Sequence, residues 1–236
     1  MIHPTAILEP GAQLGSGCEI HPYAIVKRGA ILGEQVIVHS FAVVGGDSQD
    51  LKFDPAVSSG VRIGAATRIR ENVTINRANA AGTFTEIGGD CLLMAGCHVG
   101  HDCVVGRGVV IGSAALLAGH VRVGDNAVLG SATGFHQFIR IGEGAEVAQG
   151  VILTVDLPPF LLAGGRNEVA GLNFASLAGA AIRELEEAFR RVYSVAGSPV
   201  AAAAAALASG GYAAREARAF LEFFADGQRG YARPRR

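Results

Sequence analysis

The chain has 236 residues, half of them hydrophobic and 17% charged, with a formal net charge of −1. A charge so close to zero argues against a nucleic-acid-binding or membrane-surface protein, and no run of 18 apolar residues is present to span a bilayer. The opening MIHPTAILEP lacks the basic-then-apolar pattern of a signal peptide, which predicts a cytoplasmic protein with no stable membrane insertion.

From the first residues an aliphatic side chain recurs at every sixth position: Ile2, Leu8, Leu14, Ile20, Val26, Leu32, Val38 and Val44. Neither a helix, with its period of 3.6, nor a strand, with its period of two, repeats that way. A period of six predicts a parallel β-helix in which three short strands make one coil of 18 residues. Glycine commonly follows the aliphatic residue, as at Gly15, Gly33, Gly45, Gly88, Gly106, Gly112, Gly124 and Gly142, where it suits a corner needing unusual dihedrals. The pattern stops at residues 45–62, GGDSQDLKFDPAVSSGVR, and resumes at Ile63 with its phase moved by one residue, so this is an inserted loop. Ile69 and Ile75 continue it, and a second loop occupies residues 76–86. Loops inserted in a solenoid gather on one face and often serve its binding site. From Ile87, twelve hexads then run unbroken to Leu153, and Asp156-Leu157-Pro158-Pro159 ends the stack.

The expected domains are therefore a hexapeptide-repeat prism over residues 1–157 and a helical region over 158–236. In the latter, Ile182, Leu185, Phe189 and Val192 form an apolar stripe at helical spacing. Ser198-Pro199 starts a second, Ala-rich helix that Ser209-Gly210-Gly211 ends, and a last helix runs from about Tyr212 to Ala225. The basic tail Arg229–Arg236 is expected to be disordered. Cys18, Cys91, Cys97 and Cys103 all take the fifth place of a hexad, which alanine fills elsewhere, so they read as packed thiols.

With 18 residues per coil, His101, Gly119 and Gln137 fall in one column, and Asp102, His120 and Phe138 in the next. His98 and His136 lie within three residues of these, so four of the seven histidines converge on one corner. Three readings are open. Exposed histidines on a solenoid can be surface residues alone. A trimer of such prisms can share zinc between histidines, which needs three or four convergent ligands. The third reading is general-base catalysis: a histidine oriented by a neighbouring carboxylate can deprotonate a hydroxyl or amine that attacks an acyl donor directly. The Gly119 N–H, one coil from His101, is then a candidate oxyanion donor.

The motifs MIHPTAILEPGA, DSQDLKF, RIREN-V-TI-x-R, HVGHDCVVG, LAGHVRVGD, GFHQF and D-L-P-P-F extend over nearly the whole chain. Together they resemble the acyl-ACP:UDP-N-acetylglucosamine O-acyltransferases that open lipid A synthesis. That resemblance implies a left-handed parallel β-helix with a C-terminal α-helical region, a homotrimer, and active sites between subunits. It implies transfer of a (3-hydroxy)acyl chain from acyl carrier protein to the 3-hydroxyl of UDP-N-acetylglucosamine or a related UDP-sugar. His101 would be the general base, with Asp102 beside it and Gly119 as oxyanion donor. Asp50, Lys52, His98, His120, His136, Gln137 and Asn173 would contact substrate. No metal and no cofactor is implied beyond the carrier's pantetheine. Arg68, Arg70 and Arg77 form a candidate face for the acidic carrier.

Three departures from the family pattern set open questions. About one coil is missing before DSQDLKF; the nucleotide-end motif keeps Asn173 but reads FASLAGA after it, without glutamate or arginines; and the Gly-Gly pair lining the acyl tunnel reads Ala148-Gln149. The alternative function is therefore a paralogous acyltransferase acting on another sugar or amine without nucleotide recognition. A trimeric metal-binding repeat protein or a non-catalytic scaffold stands further off.

Overall fold

The computed structural model describes residues 1–175, 177, 179–194 and 197–235. Strands of mostly two residues, one per hexad, stack into three parallel sheets that form the walls of a triangular prism. We call them sheets I, II and III, beginning respectively at Ile7–Leu8, Gln13–Leu14 and Glu19–Ile20. The 18-residue register is kept along the unbroken part, where Val99, Leu117, Phe135 and Leu153 pair in succession in sheet I. These aliphatic positions face inward, with Val99, Leu117 and Leu153 fully buried and Phe135 nearly so. Each such side chain taken from water contributes about 1.5–3 kcal/mol, and the fifth place of the hexad, filled by residues such as Ala24, Ala42, Val109 and Ala127, is buried with it. The four cysteines line the same interior. Burial pushes the thiols of Cys97 and Cys103 up to about 12, which leaves neither as a nucleophile.

Both insertions leave from one edge of the prism, the corner between sheets I and II. The first lies between strands Val43–Gly46 and Gly60–Ile63, the second between Thr74–Asn76 and Phe84–Ile87. The second places Ile87 24 residues after its partner Ile63 instead of 18, so the hexad phase survives it.

The glycines after the aliphatic residue are explained differently from expectation. Among those cited, only Gly45 has a positive φ. At the II–III corner the position is glycine in every coil (Gly15, Gly33, Gly64, Gly88, Gly106, Gly124 and Gly142), and an added β-carbon there would lie 2.2–2.8 Å from the next coil. Stacking distance, not dihedral freedom, demands glycine. The left-handed conformation falls instead on the fourth residue of the hexad, often a non-glycine: Tyr23, Phe41, Asp102, His120 and Phe138 all have φ near 60°.

After the last hexads the chain is not immediately helical. A hairpin, Leu161–Gly165 with Glu168–Leu172, extends sheet III antiparallel, and its first strand pairs parallel with Glu146–Val147. Three helices follow: α1 (Ala180–Tyr193), α2 (Pro199–Ser209) and α3 (Arg215–Glu222). Leu185 and Val192 of the anticipated stripe are buried, joined by Phe220 and Phe224. This bundle is fastened to the prism by Arg215 to Glu143 (2.8 Å) and by Arg140 to the Phe223 carbonyl (2.9 Å). The tail is ordered where disorder was expected. Arg233–Pro234 adds a strand beside Glu168–Val169, Ala232 is fully buried, and Tyr193 donates to its carbonyl, while Arg236 lies outside the described residues.

Candidate active site

The I–II corner carries the catalytic candidates on the coils directly following the two loops. His101 is 6% exposed, and its Nδ1 lies 2.8 Å from Asp102 Oδ2. A carboxylate on Nδ1 fixes the imidazole tautomer with the proton there and the lone pair on Nε2. The Asp102 backbone N–H donates to Thr85 Oγ1 (2.9 Å), and its carboxylate accepts the backbone N–H of Asn79 (3.1 Å). The pair is thus held by neighbours on two sides. On the next coil Gly119 lies directly under the His101 ring, since an added β-carbon would be 2.4 Å from Nε2. The Gly119 N–H donates to no group among the described residues.

A groove of about 790 Å³ runs over sheet I beside this corner. His98, His101, Gly119, His136, Gln137 and Asp50 line it. His98 is held by a 2.8 Å hydrogen bond with Thr74 Oγ1, and burial, aided by the nearby His101, lowers its pKa. His120 approaches the same carboxylate oxygen, with Nε2 3.8 Å from Asp102 Oδ2, its ring 5.0 Å from that of His101 and stacked on Phe138 at 4.4 Å. Burial lowers its pKa too, against the pull of Asp102. The sequence reading missed Thr74, Asn76, Leu116 and Ile152 in the groove wall. Leu116 and Ile152 did carry a signal: they point outward from sheet I and are apolar, where the equivalent places in sheet II hold Arg122 and Arg140.

Four predicted residues stand apart from this cluster within the chain. Lys52 is exposed on the first loop and touches the site only through its backbone N–H to Asp50 Oδ1 (2.9 Å). Ala148 and Gln149 occupy the corner between sheets III and I, across the groove face. Asn173 uses its amide internally, donating to the Gly144 carbonyl (3.0 Å) and accepting from the Ala175 N–H (3.1 Å). Ser176 and Ala178 of the altered nucleotide-end segment lie outside the described residues.

Arg77 is not part of a carrier-facing surface. Its guanidinium is buried, paired with Asp47 (2.8 Å), donating to the carbonyls of Pro55 (2.8 Å) and Val57, and lying over the Phe53 ring. A metal needs convergent ligands, and among the described residues one group qualifies: atoms of His101, Asp102 and His120 lie within 4.8 Å of one another. Within that group, His101 Nδ1 and Asp102 Oδ2 already face each other at 2.8 Å.

Comparison with known proteins agrees with this arrangement. Residues 11–46 and 84–119 match the bacterial transferase hexapeptide repeat, and residues 156–232 match the second domain of UDP N-acetylglucosamine O-acyltransferase. An acyl-(acyl-carrier-protein)–UDP-N-acetylglucosamine O-acyltransferase of Burkholderia orbicola is 44% identical over 217 residues, 81% of this chain and 82% of that protein. One from Campylobacter concisus is 40% identical over 152 residues, 64% of this chain and 58% of its own length. Among solved structures, the UDP-N-acetylglucosamine acyltransferase of Campylobacter jejuni superposes with a TM-score of 0.86 at 32% identity, covering 100% of both chains. That of Acinetobacter baumannii gives 0.89 at 26% identity, covering 98% of this chain and 99% of the other. The prism is accordingly a left-handed parallel β-helix with a C-terminal helical region. The chain is an O-acyltransferase and belongs to the acyl-(acyl-carrier-protein)–UDP-N-acetylglucosamine O-acyltransferase family.

Proposed function

We propose that this protein transfers an acyl chain, a 3-hydroxyacyl chain in the fullest form of the reading, from the thioester of acyl carrier protein to the 3-hydroxyl of UDP-N-acetylglucosamine, within lipid A synthesis. The observation that carries the reading is the His101–Asp102 pair with Gly119 stacked beneath the imidazole. His101 Nε2 takes the proton of the acceptor hydroxyl, and Asp102 stabilises the imidazolium that forms. The acceptor oxygen bonds to the thioester carbonyl carbon, and the negative charge moves to the carbonyl oxygen, where the Gly119 N–H can meet it. Collapse of that intermediate breaks the C–S bond, and the departing sulfur receives the proton from His101. No cofactor beyond the carrier's own pantetheine enters these steps.

The active form in this proposal is a cytoplasmic homotrimer in which the groove over sheet I is completed by a neighbouring subunit. A subunit interface would bring the III–I corner with Ala148 and Gln149, and the segment around Asn173, into reach of a groove they do not touch within one chain. Gln149 would then shorten the acyl chain accepted. Loss of two arginines at the nucleotide end removes charge-assisted hydrogen bonds worth about 1.5–3 kcal/mol each. The expected affinity for the UDP moiety is correspondingly lower than a full set would give.

Acyl transfer from acyl carrier protein to UDP-N-acetylglucosamine, measured with wild type and His101→Ala, tests the reading. The expected result is a loss of about 10²–10⁴-fold in His101→Ala, with the trimer intact by sedimentation. Calorimetry with UDP-N-acetylglucosamine, UDP and N-acetylglucosamine separates the acceptor. No binding of the UDP-sugar at millimolar concentration, with transfer to a non-nucleotide acceptor, overturns the acceptor assignment.

A further inference from the structure

The second inserted loop begins with Arg77, Ala78 and Asn79, and these three residues touch both the first loop and the catalytic pair. Arg77 grips the first loop through Asp47, Pro55, Val57 and Phe53. Two residues on, the Asn79 backbone N–H donates to Asp102 (3.1 Å), while its side-chain Nδ2 donates to Asp50 Oδ2 (3.2 Å). Asp50 lines the groove in which His101 sits. One residue therefore joins the carboxylate that orients the base to a groove-lining carboxylate on a separate loop.

The orientation of that amide is informative. Its Oδ1 is buried without a hydrogen-bond partner among the described residues. An unpaired buried acceptor is destabilising. Rotating the amide by half a turn would direct Oδ1 at the Asp50 carboxylate, where two acceptors repel. The amide is therefore oriented by Asp50: the rotamer present is the one that directs Nδ2, not Oδ1, at that carboxylate.

We propose that Asn79 is a positioning residue for acyl transfer: it tethers Asp50 to the His101–Asp102 pair and so sets the first loop for the acceptor. The proposal rests on the acyltransferase reading above for its kinetic arm, and on the geometry alone for its structural arm. Because the bond to Asp102 comes from the main chain, Asn79→Ala leaves it in place and removes only the tether. A hydrogen bond to a charged group at a solvent-accessible site translates to about 5–20-fold in affinity.

The experiment uses the full chain as wild type, Asn79→Ala, Asp50→Ala and the double variant. Expected for Asn79→Ala is a rise of about 5–20-fold in KM for UDP-N-acetylglucosamine, with kcat within about threefold. The double variant should fall no more than about twofold below Asp50→Ala, since the side chain acts through Asp50. Amide hydrogen exchange over residues 47–59 supplies the arm independent of substrate, and should quicken about tenfold in Asn79→Ala. Additive effects of the two substitutions, an unchanged KM, or unchanged exchange in the first loop overturns the proposal. A wild type that exchanges slowly in that loop yet fails to acylate UDP-N-acetylglucosamine refutes the functional reading instead, and Asn79→Ala then stands or falls on exchange.

Discussion

A β-carbon on residue 119 would stand 2.4 Å from Nε2 and 2.5 Å from Cε1 of His101, and nothing flexible intervenes to absorb it. The side chain is only 8% exposed, so it has little room to swing away, and its other nitrogen is tied to Asp102. Gly119→Ala should therefore displace the ring, lowering kcat by at least about 10²-fold, the scale of a lost general base. Fold and oligomer should persist, because Gly119 has no positive φ and the strain falls on one side chain. Kinetics alongside circular dichroism checks this; near-normal turnover would show that the ring need not rest where it does. The positive φ of Asp102, by contrast, is not a device of catalysis. Tyr23 and Phe41, remote from the groove, have the same conformation at the same hexad place, so the coil imposes it.

At the scale of elements, one edge of the prism carries the candidate catalytic residues, and a different edge holds the histidine pair of the early coils. His21 and His39 lie one coil apart on the III–I corner with ring centroids 4.5 Å apart. His39 also sits 3.2 Å from Glu71, with Arg70 adjacent. Its pKa is lowered, first by burial and then by His21, which outweigh the opposing pull of Glu71. A histidine whose folded pKa lies below its unfolded value near 6.5 favours the folded state as the neutral ring. Its contribution is fully present above about pH 6.5 and is lost as the pH falls toward the folded value. His98 and His120, also lowered, act in the same direction. Urea unfolding midpoints should be level from pH 8 to 7 and decline between pH 6.5 and 5, with the decline shallower in His39→Gln. A midpoint that rises on acidification would contradict the direction.

At the scale of the whole molecule, the prism is close to one-dimensional: each coil buries its aliphatic residues chiefly against the coils above and below. Leu117, fully buried between Val99 and Phe135, sits directly behind the groove. Leu117→Ala leaves a cavity that the stiff stack cannot collapse, and should cost about 2–5 kcal/mol by denaturant titration. A loss below 1 kcal/mol would show the coil relaxing where rigidity is inferred.

The hexads alone determined the prism, the inward faces, the place of both loops and the columns that bring His101, Asp102, Gly119, His120 and Gln137 together. A stack with fixed periodicity converts sequence separation into distance, so its long-range contacts are readable as arithmetic. The same logic failed wherever the period ends. The hairpin Leu161–Leu172, the docked tail and the burial of Arg77 depend on non-repeating contacts, and no spacing announces them. Arg77 shows the limit plainly: in sequence it is one basic residue near two others, and only the fold of the first loop around it decided that its charge faces carbonyls and Asp47 instead of solvent. Tertiary structure likewise decided that Asn79 joins Asp50 to Asp102, because loop closure, not periodicity, sets where an inserted segment comes to rest.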